Sequence, residues 1–395
     1  MTNSALESID AIAIPTANER ARQQFVSTLR KAALVDMGGA MKRAYETDVE
    51  PAFEKAHGHK PEHARDIAGA MEEKAVYKFY SSVRYNAQEM VWESVRPQIE
   101  RHLPEMIAIA DRAAELAPTG GTLRLNPALK VPRYVSELDV HLMPGCFHSE
   151  HTARDVAQGA VYSYGIGVFY GGLPMVKAGG GPGASIAHFL KYAYPDFKPA
   201  KILDLACSAG ANTFPYVDAF PDAEVYGVDV GAPVLRYAHA RAEAAGRKAH
   251  FSQQNAEALD FPDNSFDVVT SSFFLHEIPL KTTRAVFKEC LRVLKPGGLM
   301  LHFELPPASE VDPYYDFYLD WDTHNNNEPS YANFRAQKPE NLVLEGGFAP
   351  EKFLKKQIYN WGAFPKETFI ACAKGEIEAP IIANGGSWFT FGGWK

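Results

Sequence analysis

Three observations in the 395 residues predict an α/β fold with a mostly parallel sheet, preceded by a helical region. From Lys201 onward, short apolar runs alternate with helix-length segments, which implies parallel strands joined by right-handed crossovers. The first of those runs leads into a small-residue loop, LDLACSAG, of the kind that cradles nucleotides at the carboxyl edge of such sheets. Residues 20–117 instead place apolar side chains at helical spacing, with Met71, Ala75, Phe79 and Val83 recurring every four residues.

Along the chain, AHGHKPEH (56–63) breaks the first helical pattern and joins two helices, leaving His57, His59 and His63 in a solvated turn. Met90, Val91 and Val95 then continue an apolar face. Residues 118–185 are rich in Gly, Pro and Tyr, with β-like pieces at 134–142 and 160–170 and a flexible joint at 178–185, AGGGPGAS. Strands are expected over 201–206, 224–228, 266–271 and 299–305. Between them lie helices over 233–245, stopped by Gly246, and 282–294, stopped by Lys295-Pro296-Gly297-Gly298. An aromatic insert to about Asn333 follows, then a helix over 339–345 and strands over 353–359 and 368–373.

Composition narrows the function classes. With 46% hydrophobic and 22% charged residues the chain is that of a globular protein with room for a second domain. The net charge of −8 and the lack of a basic stripe argue against nucleic acid as the main partner. Cys146, Cys207, Cys290 and Cys372 form no CxxC and suit reduced thiols in a cytoplasm. The amino terminus has no apolar core of a secretory signal, and the uncharged run over 156–176 is too broken by glycine, Pro174 and tyrosine for a membrane span.

The loop chemistry discriminates between nucleotides. A dinucleotide fingerprint needs three glycines for close approach to a pyrophosphate, and here Ala206, Ser208 and Gly210 occupy those positions. Asp204 within the turn disfavours a phosphate and suits an ammonium group. Asp229, at the end of VYGVD, is placed to accept both hydroxyls of a ribose.

Taken in order, LDLACSAG, VYGVDV, NAEALDFPDNSFDVVTSSFFLHEIP and KECLRVLKPGGLMLHFEL resemble the class I S-adenosylmethionine-dependent methyltransferases. The resemblance is to the group that includes the ubiquinone/menaquinone-biosynthesis C-methyltransferases, and it covers about residues 201–305. It implies a Rossmann-like methyltransferase domain with a mostly parallel seven-stranded sheet closed by an antiparallel hairpin, and S-adenosylmethionine as cofactor. By the same resemblance, Asp204, Ala206 and Gly210 line the methionine end and Asp229 binds ribose. Val230 packs on adenine, Asn255 stands where an Asp is usual, Ala256 offers its backbone NH, and Ser271 lies beneath the methionine portion. Two glycines and one Asp of the family pattern are replaced.

Candidates for the chemistry lie around that domain. Methyl transfer is an in-line displacement that needs alignment more than a base, and where a base helps histidine suits it. His276 in FFLHEIP and His324 in the insert are the two base candidates, each against a structural role. In the insert, Tyr314, Tyr315, Phe317, Tyr318 and Trp321 form either a substrate wall or a core, with Asp322 as a polar contact. HLMPGCFHSEH (141–151) offers His141, Cys146, His148, Glu150 and His151 without metal-ligand spacing, so a loop is expected and no metal. Tyr162, Tyr164 and Tyr170 either cover the cofactor or pack internally.

The expected organisation is a helical domain over 1–117, a connector or lid over 118–185, a catalytic domain over 186–378 with a cap at 306–333, and a tail over 379–395. The expected activity is methyl transfer to a small apolar or aromatic molecule in the cytoplasm, without membrane or nucleic acid, by a chain able to form a homodimer. The alternatives are an NAD(P)-dependent oxidoreductase and a protein that binds S-adenosylmethionine without transferring methyl.

Overall fold

The computed structural model describes residues 6–171, 181–382 and 385–395. Eight strands form one sheet: β1 (Thr122–Arg124), β2 (Lys201–Leu205), β3 (Glu224–Asp229), β4 (His250–Gln253), β5 (Phe266–Ser272), β6 (Leu294–Glu304), β7 (Phe353–Tyr359) and β8 (Ser387–Trp394). Their spatial order is β1-β4-β3-β2-β5-β6-β8-β7. The first six are mutually parallel, and β8 runs antiparallel between β6 and β7. β2 and β5 are buried on both faces and read as continuous apolar runs, as central parallel strands do.

Helices cover the sheet. Ala232–Ala244 and Leu280–Val293 match the expected segments, and Gly246 ends the first at φ 69°. The amino-terminal region is helical as expected, with AHGHKPEH separating Glu50–His57 from Ala64–Glu72. A helix over Ala75–Leu116 then spans the molecule. Its buried Val91, Trp92, Val95 and Ile99 join a core that includes Tyr237 and Ala240 of the helix Ala232–Ala244.

Several sequence expectations give way. The stretches over 134–142 and 160–170 hold no strand: Arg133–Ser136 and Ala157–Phe169 are helical. The second packs on the long helix, and Gly165 lets the Trp92 ring approach where a Cβ would stand 2.5 Å from it. Residues 368–373 lie in the helix Lys366–Ala373, started by Pro365. Lys295-Pro296-Gly297-Gly298 follows the end of the helix Leu280–Val293 as expected, but it already belongs to the opening of β6, with Gly297 at φ 77°. The expected tail, 379–395, supplies β8, and the connector supplies β1, so the sheet has eight strands rather than seven. Of the joint over 178–185, residues 178–180 lie outside the described residues, and 182–185 open the helix Pro182–Ala193.

The aromatic insert forms a cap helix, Pro313–His324, started by Asp312 accepting the NH of Tyr315 at 3.0 Å. Its Tyr314, Phe317 and Trp321 pack with Ala33, Met41, Ile67 and Met71 of the amino-terminal helices. The cap therefore bridges the helical region and the sheet.

Phe391 of β8 is fully buried against Phe287 and His302. Phe391→Ala is expected to lower unfolding free energy in urea by about 3–5 kcal/mol, where a residue of a loose tail would have no effect.

Candidate active site

A cavity of about 370 Å³ opens at the carboxyl ends of β2, β3 and β5 and extends under the cap helix to the amino-terminal helices. Its sheet end is built from the loop after β2. Asp204 points inward and takes the Thr213 hydroxyl at 2.6 Å; burial pushes its pKa up to about 7. Cys207 NH reaches Val228 O at 3.0 Å, and Arg241 holds Ala209 O at 2.7 Å. Ala206 and Ser208 adopt left-handed φ of 52° and 46°, so the loop keeps the glycine-like path with side chains that disfavour it.

Asp229 closes the turn from the neighbouring strand. One carboxylate oxygen accepts Ser208 NH and the other Gly231 NH, each at 2.9 Å. Burial raises its pKa to about 6 against those two donors. Each oxygen retains a lone pair, and Asp229 lines the cavity with Val230, Asn255 and Ala256. Asn255 turns its carbonyl oxygen to Glu257 NH at 3.0 Å and so braces the β4 loop. The Ser208 and Ser272 hydroxyls line the same end, buried and without partners. The donor set fits an uncharged ribose and a zwitterionic amino-acid portion. Among the described residues no lysine lines the cavity, and the two arginines that do, Arg30 and Arg84, lie at the helical end, away from any pyrophosphate at this loop.

The middle of the cavity is an ion cluster. His276 Nδ1 donates to Glu304 at 2.5 Å, and its Nε2 lies 3.9 Å from Glu328. His141 bonds Glu277 through Nε2 and Glu328 through Nδ1, both at 2.8 Å. Burial opposes charge on both rings, but the carboxylates outweigh it, raising His276 to about 9 and His141 to about 10. The raised values favour doubly protonated rings, in which His276 is a hydrogen-bond donor to Glu304, and of the two readings of His276 this geometry is the hydrogen-bonded one. His141 itself sits at φ 59°, with its carbonyl held by Trp92 at 2.7 Å and Gln88 at 3.0 Å.

At the helical end stand Tyr315, Tyr318, Leu319 and Asp322 of the cap, facing Arg30, Arg84, Trp92, Tyr162 and Tyr170. Arg84 and Asp322 pair at 2.6 Å.

Of the residues singled out in the sequence, Ala206, Asp229, Val230, Asn255, Ala256, His276, Tyr318 and Asp322 meet at this cavity. Others do not. Asp204 and Gly210 shape the loop from behind: Asp204 is spent on Thr213, and Gly210, at φ 78°, leaves no room for a Cβ beside Phe214. Ser271 points to the opposite face of β5 from Ser272 and bonds His302 at 2.7 Å. Tyr314 stacks on Tyr45, and Trp321 packs on Tyr80 and donates to Ser81, so both belong to the core. His324 is exposed in the last turn of the cap helix, away from the cavity. His141, singled out in the 141–151 stretch, also lines the cavity, whereas Glu277, Glu304, Glu328 and the two arginines were missed, because their partners lie far apart in the chain. Among the described residues no group of three or more His, Cys, Asp or Glu is arranged to hold a metal ion, and no helix is long and apolar enough to cross a membrane.

Comparison with known proteins agrees on the family. A family profile described as a methyltransferase domain matches residues 202–298. A demethylmenaquinone methyltransferase of Thermus thermophilus is 38% identical over 109 residues, 28% of this chain and 49% of that protein. A ubiquinone/menaquinone biosynthesis C-methyltransferase of Shewanella woodyi is 31% identical over 188 residues, 46% of this chain and 67% of that protein. The chain thus spans about half of the first relative's length and two thirds of the second's. Among solved structures, a candidate O-methyltransferase from Nostoc punctiforme aligns over 97% of this chain and 100% of its own at 15% identity, with TM-score 0.43.

Two outcomes follow from the geometry. Histidines whose folded pKa is raised stabilise most fully below the unfolded value near 6.5 and lose that contribution as pH rises through about 9 and 10. The melting temperature is therefore expected to fall between pH 7 and 10, and to fall less in His141→Gln; a flat profile contradicts this. Asp204 and Asp229 act in the same direction in a lower window, ending near pH 7 and 6. Secondly, Ser208→Gly relieves a left-handed side chain and is expected to raise stability by up to about 1 kcal/mol in urea, after the entropy of glycine is offset.

Proposed function

Because the chain belongs to the class I S-adenosylmethionine-dependent methyltransferases, we propose that it methylates a small, largely aromatic molecule held between the cap helix and the long helix. The single observation that carries this reading is one continuous cavity running from Asp229 at the sheet edge to Tyr318 and Asp322 of the cap. S-adenosylmethionine supplies an electrophilic methyl group when bound. Asp229 accepts its ribose hydroxyls through the lone pairs its backbone donors leave free, while Val230 and Ala256 flank the base and Asn255 borders it. The Ser208 and Ser272 hydroxyls and the left-handed loop backbone serve the amino-acid end.

The chain's own contribution is alignment and charge. An in-line displacement gains most from holding nucleophile and methyl in register, which the aromatic walls of the cavity can do. The names of the relatives point to demethylmenaquinone and to ubiquinone/menaquinone biosynthesis, and a hydroxylated ring is the acceptor class that suits such walls. His276, kept protonated by Glu304 and Glu328, donates to the ring oxygen of an acceptor bound as its phenolate, the hydroxyl proton having passed to solvent on binding, and this anionic form enriches the ring as a nucleophile. Tyr318 and Asp322 bound the acceptor on the cap side.

Screening phenols and quinols for release of S-adenosylhomocysteine identifies the acceptor and separates transfer from mere binding. With that acceptor, His276→Gln is expected to lower kcat by about 100-fold or more while S-adenosylhomocysteine affinity stays unchanged, and to remove an alkaline limb near pH 9. Unchanged kcat with weakened cofactor binding contradicts the role assigned to His276.

A further inference from the structure

We propose that the acceptor carries a carboxylate, held at the helical end of the cavity by the guanidinium groups of Arg30 and Arg84. This rests on the acceptor-binding reading above and narrows its substrate class from an apolar ring to a ring bearing one anionic group.

Both arginines line the cavity, yet each is only 2% exposed. Arginine is rarely buried so fully without a carboxylate partner, since desolvating a cation is expensive. Arg84 has such a partner in Asp322. Arg30 has none among the described residues. Its Nη1 donates to the side-chain oxygen of Gln88 at 2.5 Å, the same atom that Arg84 Nη1 reaches at 3.1 Å. Its Nε lies 3.4 Å from Phe169 O, and its guanidinium sits 3.8 Å above the Phe169 ring. Two cations thus share one carboxylate and one amide oxygen, and the buried cluster has a net positive charge.

The titration behaviour agrees. Asp322 raises the pKa of Arg84 against its burial, whereas burial and the neighbouring Arg84 bring Arg30 down to about 9. A bound carboxylate would complete the balance, and a guanidinium presents the fork that matches one. The surrounding Leu34, Tyr170, Tyr315 and Leu319 exclude water and leave space for an apolar body beside the charge. The hydrogen bonds of Arg30 run to the long helix and to Phe169, none to the loop after β2, which favours the acceptor over the cofactor as the source of the carboxylate.

The test uses the intact chain saturated with S-adenosylhomocysteine, titrated calorimetrically with 1-naphthoate and with its neutral analogue 1-naphthamide. The carboxylate is expected to bind about tenfold tighter than the amide or better. In Arg30→Met that preference is expected to vanish while S-adenosylhomocysteine affinity is retained, and Arg30→Lys, which keeps the charge in place, is expected to preserve part of it. Equal binding of the two probes, or binding of neither, overturns the proposal. Loss of S-adenosylhomocysteine binding in folded Arg30→Met also overturns it, since the carboxylate would then be the cofactor's own. Failure of the unaltered chain to bind S-adenosylhomocysteine sinks the methyltransferase reading instead.

Discussion

One imidazole ties the site together. His141 belongs to the segment between the long helix and the sheet, yet it bonds Glu277, which follows β5, and Glu328, which follows the cap helix. Its carbonyl is held by Trp92 and Gln88 of the long helix. Four stretches of chain remote in sequence therefore converge on one residue, whose backbone is forced into a left-handed conformation to do so. Remove the charge on that ring and Glu328 is left buried without its nearest cation, a condition that costs several kcal/mol in comparable buried pairs. The placement of the cap over the sheet draws on this contact together with the apolar packing of Tyr314, Phe317 and Trp321.

The same convergence organises charge along the cavity. Around His141 and His276 stand Glu277, Glu304 and Glu328, three carboxylates to two imidazolium rings, so the middle of the cavity is negative on balance. A cationic sulfonium is well received beside such a cluster. At the helical end the balance reverses, with Arg30 and Arg84 against Asp322 alone. The middle and the helical end of the cavity therefore suit groups of opposite charge, and Trp92, Tyr162, Tyr170, Tyr315 and Tyr318 supply uncharged aromatic walls at the helical end.

Much of this was legible in the sequence, and the remainder had physical reasons for staying hidden. The ordered motifs from LDLACSAG to LRVLKPGG placed β2, β3, β5 and β6 because parallel strands buried on both faces leave continuous apolar runs. Residues 160–170 defeated the reading because their helix is buried on almost every side and shows no polar stripe to mark its period. Residues 368–373 are too short and apolar to assign by pattern, and only Pro365 signals the helix start. β8 was hidden by Gly392 and Gly393, which look like loop residues, although Gly392 is required where Met300 O approaches so closely that a Cβ could not fit. Asp229 and His276 were found because motif position fixes them. The pairing of His141 and the roles of Arg30 and Arg84 were not, since 136 residues separate His141 from Glu277 and 238 separate Arg84 from Asp322. Pairings of that range exist only after the fold is formed.

The central claim is that the loop after β2 and Asp229 form a seat for S-adenosylmethionine. Calorimetric titration of the intact chain with S-adenosylhomocysteine and with NADH, repeated on Asp229→Asn, tests it most directly. The account predicts micromolar binding of S-adenosylhomocysteine, silence from NADH, and a loss of about 30-fold or more in the variant, as expected when hydrogen bonds to a charged acceptor are weakened. Binding of NADH, or an Asp229→Asn chain that holds S-adenosylhomocysteine as tightly as the original, would contradict it.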